Sequence, residues 1–256
     1  MSIGNIVYDL EERLVQPGCP ICQVYQHSAH RYVERLLCEF VNDSTARDAF
    51  LLSWGYCPVH TRLVAKVEQE MFGDWLATNI LFESLSRHVR NKLPNPVRLY
   101  GESQFIWKRI SSMLVRGLDL DPSVISSARC GICESAESSA QYALSALIEG
   151  MENQPDKWCP LYKQSDGLCL THLREALIPH NKQSSTAVNF ILERRLEQLD
   201  QQTIAMEEYA RKFSWDRRQE EKTEEELHAW ETNLAFFSGY PSSSFTSLNG
   251  DLDDHE

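Results

Sequence analysis

Apolar residues recur along this chain at three- and four-residue spacing, and alternating stretches bounded by Asn-Gly or Asp-Gly turns are nearly absent. That period stacks the apolar positions on one side of a helix and predicts an all-α protein. After Cys22, the residues Tyr25, Ala29, Tyr32, Val33, Leu36, Leu37 and Phe40 form one such stripe. The stretch "NDS" at Asn42 to Ser44 interrupts it and can cap a shorter helix through Phe50 and Leu51. Gly55 then ends that helix in a left-handed conformation. Pro58 suits a first helical position, where its missing N–H would have had no partner, so Cys57 is the predicted N-cap and His60 falls in the first turn. From there Leu63, Val64, Val67, Met71, Leu81, Leu85 and Val89 predict one long amphipathic helix, stopped by the two prolines of "NKLPNP".

A middle helix over about Glu102 to Val115 follows, with Phe105, Ile106, Ile110, Met113 and Leu114 on one side and Gly117 as its stop. "DLDPS" then supplies Asp121 as a cap and Pro122 as a helix start. Beyond Cys130 and Cys133 a helix carries Tyr142, Leu144, Leu147, Ile148 and Met151; a break at "NQPD" follows, and Gly167, Cys169 and His172 open another helix. Pro179 interrupts that one. A long, charged helix then carries Leu192, Leu196, Leu199, Met206, Ala210 and Phe213, and a last segment carries Leu227, Trp230, Leu234 and Phe237. The long helix reads as packing on the core or on another subunit. The tail "PSSSFTSLNGDLDDHE" is polar and acidic and is expected to be disordered.

At 256 residues with 42% hydrophobic content, the chain can fill a core. Its formal net charge of −12 makes nucleic acid an unlikely partner, since phosphate contacts need clustered Lys and Arg. A local exception is the basic run Arg87, Arg90, Lys92, Arg98, Lys108, Arg109 and Arg116, opposed only by Glu102. It reads first as docked on acidic helices of the same chain or as solvated. The N-terminus carries Asp9, Glu11 and Glu12 before any long apolar run, unlike a signal peptide, and no stretch approaches the roughly 18 apolar residues of a membrane span. A cytoplasmic protein is the expectation. In that reducing setting, paired cysteines point to metal or redox chemistry before structural disulfides.

Two such pairs occur. "CPIC" at Cys19 and Cys22 is followed by "GYCPVH" with Cys57 and His60; "CGIC" at Cys130 and Cys133 is followed by "GLCLTH" with Cys169 and His172. Thirty-four residues separate Cys22 from Cys57 and thirty-five separate Cys133 from Cys169, which argues for a duplicated unit. Each half thus offers three thiols and one imidazole, a set that suits tetrahedral zinc, two ions per chain. Where a pair opens a helix, the partial positive charge of that terminus favours thiolate over thiol. A closed site of this type supplies apparent binding free energy of about 10–16 kcal/mol. The same residues could hold an iron–sulfur cluster or cycle through disulfides, although all-Cys ligation is commoner for clusters. Spacing leaves the pairing open: Cys19 and Cys22 can join Cys57 and His60 in their own half, or Cys169 and His172 in the other.

Cys38, inside a helix, reads as a core residue, and Cys159 in "KWCPLY" as a packed thiol before a redox partner or spare ligand. His27 and His30 share a helix face near the first pair and read as solvated before auxiliary ligands. Glu225 and His228 form a lone Glu-x-x-His step, whereas a di-iron bundle needs two. No phosphate-binding Gly-rich loop, Gly-x-Ser-x-Gly elbow or His-Glu-x-x-His occurs, so the sequence leans away from an enzyme.

With its two Cys-x-x-Cys and Gly-aromatic-Cys-x-x-His units and its long charged helix, the chain up to about Gly239 resembles an uncharacterised bacterial family of unknown function. Gly131 stands where the first copy has proline, and Leu168 where it has an aromatic. The resemblance implies a fold and carries no mechanism. The sequence divides into a first helical unit over 1–96, a connecting helix over 97–128, a second unit over 129–239 and an acidic tail over 240–256. Taken together, these features predict a metal-binding helical interaction or scaffold module that meets an unknown protein partner or a second copy of itself through its helices.

Overall fold

The structure, a computed structural model, describes residues 3–93, 128–178 and 185–246. The middle helix expected at 102–115, the cap and helix start at Asp121 and Pro122, and most of the basic run lie outside these residues. Every regular element described is helical: α1 (Ile3–Leu14), α2 (Pro20–Arg35), a π-helical turn (Leu36–Phe40), α3 (Ser44–Leu52), α4 (Pro58–Phe72), α5 (Leu76–Lys92), α6 (Gly131–Asn153), α7 (Pro155–Gln164), α8 (Leu170–Leu177), α9 (Thr186–Arg211), α10 (Glu224–Ser238) and α11 (Ser243–Thr246). The chain forms two compact units, one of residues 1–28 with 136–256 and the other of residues 29–135. These cut the chain at other places than the division by sequence at 96 and 129.

In the first unit, α1, the start of α2 and α6 to α10 enclose one core. Leu10, Leu14, Ile21, Leu147, Leu168 and Ile191 are fully sequestered there, with Trp158, Tyr162 and Phe236 packed among them. Two of its helices escaped the sequence reading. α1 was hidden among acidic residues, and α7 begins at Pro155, inside the "NQPD" break. On α9 the buried residues are Ala187, Val188, Ile191 and Arg195, whereas Leu196 of the expected stripe is exposed. Leu199 of the same stripe packs against the core. Helix α10 starts with a capping box in which Thr223 and Glu226 exchange side-chain and backbone bonds, satisfying two otherwise unpaired N–H groups. Glu226 also binds the Lys212 ammonium at 2.7 and 2.8 Å, tying the end of α9 to the start of α10. Part of the expected disordered tail is ordered, since residues 240–246 include α11; residues 247–256 lie outside the description.

In the second unit, Val33, Leu36, Leu37, Phe50, Val64, Val67, Ala77 and Leu81 are buried, and the Phe50 ring meets Tyr56 and Phe82 at 4.7 and 5.5 Å. Asp43 caps α3 by accepting the Ala46 N–H at 2.8 Å, within the "NDS" segment that predicted a cap. The long helix expected from Pro58 to Val89 is two helices. Gly73 ends α4 in the left-handed region, φ 70°, and the buried carboxylate of Glu68 caps α5 by accepting the N–H groups of Ala77 and Thr78 at 2.6 and 2.9 Å. Periodicity alone missed the break because the stripe resumes in register after it. Cys38 is exposed rather than buried, since the π-helical turn rotates it off the stripe that Leu36 and Leu37 continue.

Candidate metal centres

Four helix starts carry the eight predicted ligands, and all four have the same local form. Cys57 and Cys169 are N-caps of α4 and α8, with His60 and His172 three residues on. Cys19 and Cys130 immediately precede α2 and α6, with Cys22 and Cys133 as the third helical residues. In every case the carbonyl of the leading cysteine accepts the N–H four residues later: Cys19 from Gln23 at 3.1 Å, Cys57 from Thr61 at 2.8 Å, Cys130 from Glu134 at 3.1 Å and Cys169 from Leu173 at 2.8 Å. Two donors three residues apart at a helix N-terminus point the same way, across the free N–H groups of the first turn. Gly55 and Gly167, at φ 91° and 76°, turn the chain into the two Cys-x-x-His starts; a side chain on either would meet Leu85 or Arg195 at 2.8 Å.

The starts combine in two quartets. Cys19, Cys22, Cys169 and His172 form one, wholly within the first unit; Cys57, His60, Cys130 and Cys133 form the other, within the second. Of the two pairings that spacing left open, this is the exchanged one, and the grouping of each Cys-x-x-Cys with the Cys-x-x-His of its own half does not occur. Helix geometry supplies the reason. The 16 residues of α2 rise about 24 Å, so the helix opened by Cys19 and Cys22 carries the chain away from them before Cys57 is reached. The 23 residues of α6 do the same after Cys133, over about 35 Å.

All donor atoms within each quartet lie within 4.8 Å of one another. In the first, the His172 Nδ1 stands 3.5, 3.4 and 3.2 Å from the sulfurs of Cys19, Cys22 and Cys169, and Cys22 lies 3.7 Å from Cys169. In the second, the His60 Nδ1 stands 3.2, 3.6 and 3.2 Å from Cys57, Cys130 and Cys133, and Cys57 lies 3.7 Å from Cys133. A tetrahedral ion with metal–sulfur bonds near 2.3 Å and metal–nitrogen bonds near 2.0–2.1 Å requires sulfur–sulfur edges of about 3.8 Å and sulfur–nitrogen edges of about 3.6 Å. The donor sets therefore fit one small ion each. Ligands on the separate irons of a cluster would be held farther apart by the cluster between them.

Thiols this close cannot all ionise unless a cation sits among them. In the first quartet, hydrogen bonds from Cys19 and Cys22 hold Cys169 well below the ordinary thiol range, whereas Cys22 is driven far above it by its bonds to Cys169 and Cys19 and by burial. Burial opposes a charge on His172, but the neighbouring Cys169 and Cys19 prevail and raise it to about 10. In the second, burial and the bonds to Cys57 and Cys130 push Cys133 up to about 12. Burial also opposes ionisation of Cys57, yet the backbone N–H of His60 and the neighbouring thiols lower it, and burial lowers His60. One sulfur in each quartet thus takes the charge that its neighbours relinquish, and a divalent cation removes that conflict by binding all three as thiolates.

The first quartet has further walls that sequence reasoning did not assign. Gly239, the left-handed C-cap of α10, lies so close that a Cβ there would fall 2.5 Å from the Cys22 sulfur and 3.5 Å from that of Cys169. Asp166 accepts the Gly18 N–H at 2.6 Å, joining the loops that precede Cys19 and Cys169. Arg195 on α9 is 4% exposed and donates from Nη2 to the carbonyls of Asp166 and Leu168 at 2.6 and 3.0 Å. In the second, Gly131 adjoins the Tyr32 hydroxyl, and burial raises both Tyr32 and Tyr56. The remaining polar candidates stay outside both quartets. His27 meets Asp9 at 3.0 Å, His30 meets Glu34 at 3.3 Å, and His228 pairs with Glu231 and Glu224 rather than serving a Glu225 step. Cys159 packs against the first unit's core.

Fold and sites together define an all-α protein with two Cys3His clusters, each able to hold a metal ion. The chain belongs to DUF6062, a family of unknown function, whose model matches residues 10–221 and so spans all eight Cys and His positions of the two quartets. Neither a curated protein nor a solved structure matches it.

Proposed function

We propose that each quartet binds one structural zinc ion and that the metal-fastened helices serve as an interaction or scaffold module. The supporting observation is that in each quartet the imidazole nitrogen lies 3.2–3.6 Å from all three sulfurs, one sulfur pair lies 3.7 Å apart and all donors lie within 4.8 Å, close to the edges of a zinc tetrahedron already complete with four protein ligands. A complete tetrahedron has no position for substrate, which favours a structural over a catalytic ion. Three soft thiolates with one imidazole suit zinc among the divalent metals. The same local form at all four helix starts also supports descent from a duplicated unit.

A role in contacts rests on exposed apolar residues of the C-terminal helices, including Leu196, Ile204, Leu234 and Phe237, with Trp215 87% exposed between them. A protein partner or a second copy of the chain would cover them. Among the described residues no helix is long and apolar enough to cross a membrane. A cytoplasmic setting accords with eight free cysteines.

The test is elemental analysis with an absorption spectrum on protein purified without oxygen. Two zinc ions per chain and a colourless solution are expected. Iron with visible absorption, or protein free of metal, would refute the reading in favour of cluster or thiol redox chemistry.

A further inference from the structure

We propose that Arg195 is the counter-charge of the first quartet, a buried guanidinium that fixes the turn before Cys169 and balances the negative metal–thiolate centre. The inference rests on the zinc reading above. Three thiolates, a neutral imidazole and a divalent cation sum to one negative charge, and a buried charge is tolerated where an opposite one answers it. Arg195 is itself a buried cation: its Nη2 donates to two backbone carbonyls, and its guanidinium carbon stands 4.6 Å from the centre of the Phe236 ring. Asp166, whose backbone carbonyl Arg195 bonds, directs its own Oδ2 to the Gly18 N–H. Burial opposes the cationic form of Arg195, and Tyr162, Cys19, Asp166 and Cys169 favour it. Together with Arg195, Cys19 and Cys169 line one small cavity of about 70 Å3. A loaded centre and a protonated guanidinium therefore offset each other inside the first unit, and each lowers the cost of burying the other.

Chelator competition on the full chain loaded with zinc tests this. Arg195→Gln, which removes the charge and keeps a hydrogen-bonding amide, should weaken one of the two zinc ions by about 10–100-fold. That ion should be the one lost in Cys22→Ser, with the other unchanged. Arg195→Lys, which keeps the charge and loses the planar fork, should lose clearly less affinity than Arg195→Gln. Equal losses in both variants, or none in either, would overturn the proposal. Thermal unfolding adds a readout that a purely structural role would not produce. Arg195→Met loses its two carbonyl bonds in either state, so it should be destabilised relative to wild type both loaded and stripped, but more when loaded, because only the loaded centre adds the negative charge that the guanidinium answers. Equal destabilisation in both states would also overturn it. Wild-type protein without two zinc ions would instead sink the zinc reading beneath.

Discussion

Replacing Gly239 by alanine adds one methyl group at the wall of the first quartet. The new carbon would fall 2.5 Å from the Cys22 sulfur, far inside contact distance, and 3.5 Å from that of Cys169. The backbone at φ 79° adds a second term, since an L side chain in the left-handed region costs about 1–2 kcal/mol. Crowding a packed interior costs about 1–3 kcal/mol more. The sum is about 2–5 kcal/mol. Gly73 separates the two terms: it is likewise a left-handed C-cap, at φ 70°, but a Cβ there meets nothing within 4 Å. Gly73→Ala should therefore cost only the backbone part, about 1–2 kcal/mol, and leave both metal ions in place. Urea unfolding with a zinc count on each variant provides the comparison. Gly239→Ala should lose more stability than Gly73→Ala and release the ion held by Cys22. If both variants lose equal stability and keep two ions at wild-type affinity, α10 does not wall the quartet.

The exchanged pairing predicts that Cys19→Ser and Cys169→Ser each remove the same zinc ion and Cys57→Ser and Cys130→Ser the other, which cadmium-113 resonances of the substituted protein would resolve; matching losses from Cys19→Ser and Cys57→Ser would contradict it. Glu68→Ala leaves the first N–H groups of α5 without their buried acceptor and should destabilise the second unit by about 1–3 kcal/mol, read by urea unfolding. The Lys212 ammonium holds the Glu226 carboxyl below the ordinary glutamate range. Its stabilising contribution is thus full above that range and fades as the pH falls through the lowered value. Glu226→Gln should remove this part of the acid dependence, measured as exchange protection of the α10 amides from neutral pH down through the acid range below the ordinary glutamate value; an unchanged acid profile would contradict the assignment.

Local chemistry was legible in the chain wherever a residue's own backbone decided the outcome. Cys57 as an N-cap followed by Pro58, Gly55 in a left-handed turn and an acceptor in "NDS" each follow from preferences that act over a few residues. The register of the apolar stripe hid the break at Gly73, because α5 resumes the same period, and the acidic residues of α1 masked a helix whose Leu10 and Leu14 are fully buried. Cys38 misled because one π-helical turn shifts a residue off its face without altering the spacing of the sequence.

By itself the sequence determined that the chain is helical and that eight particular thiols and imidazoles occupy helix starts, since capping and periodicity are local properties. Only the tertiary structure decided which starts meet. A helix of 16 residues can be read from its own letters, but where its far end delivers the chain depends on every packed contact along the way. The same holds for Gly239 and Arg195, which reach the first quartet from helices far along the chain and carry no motif to mark them.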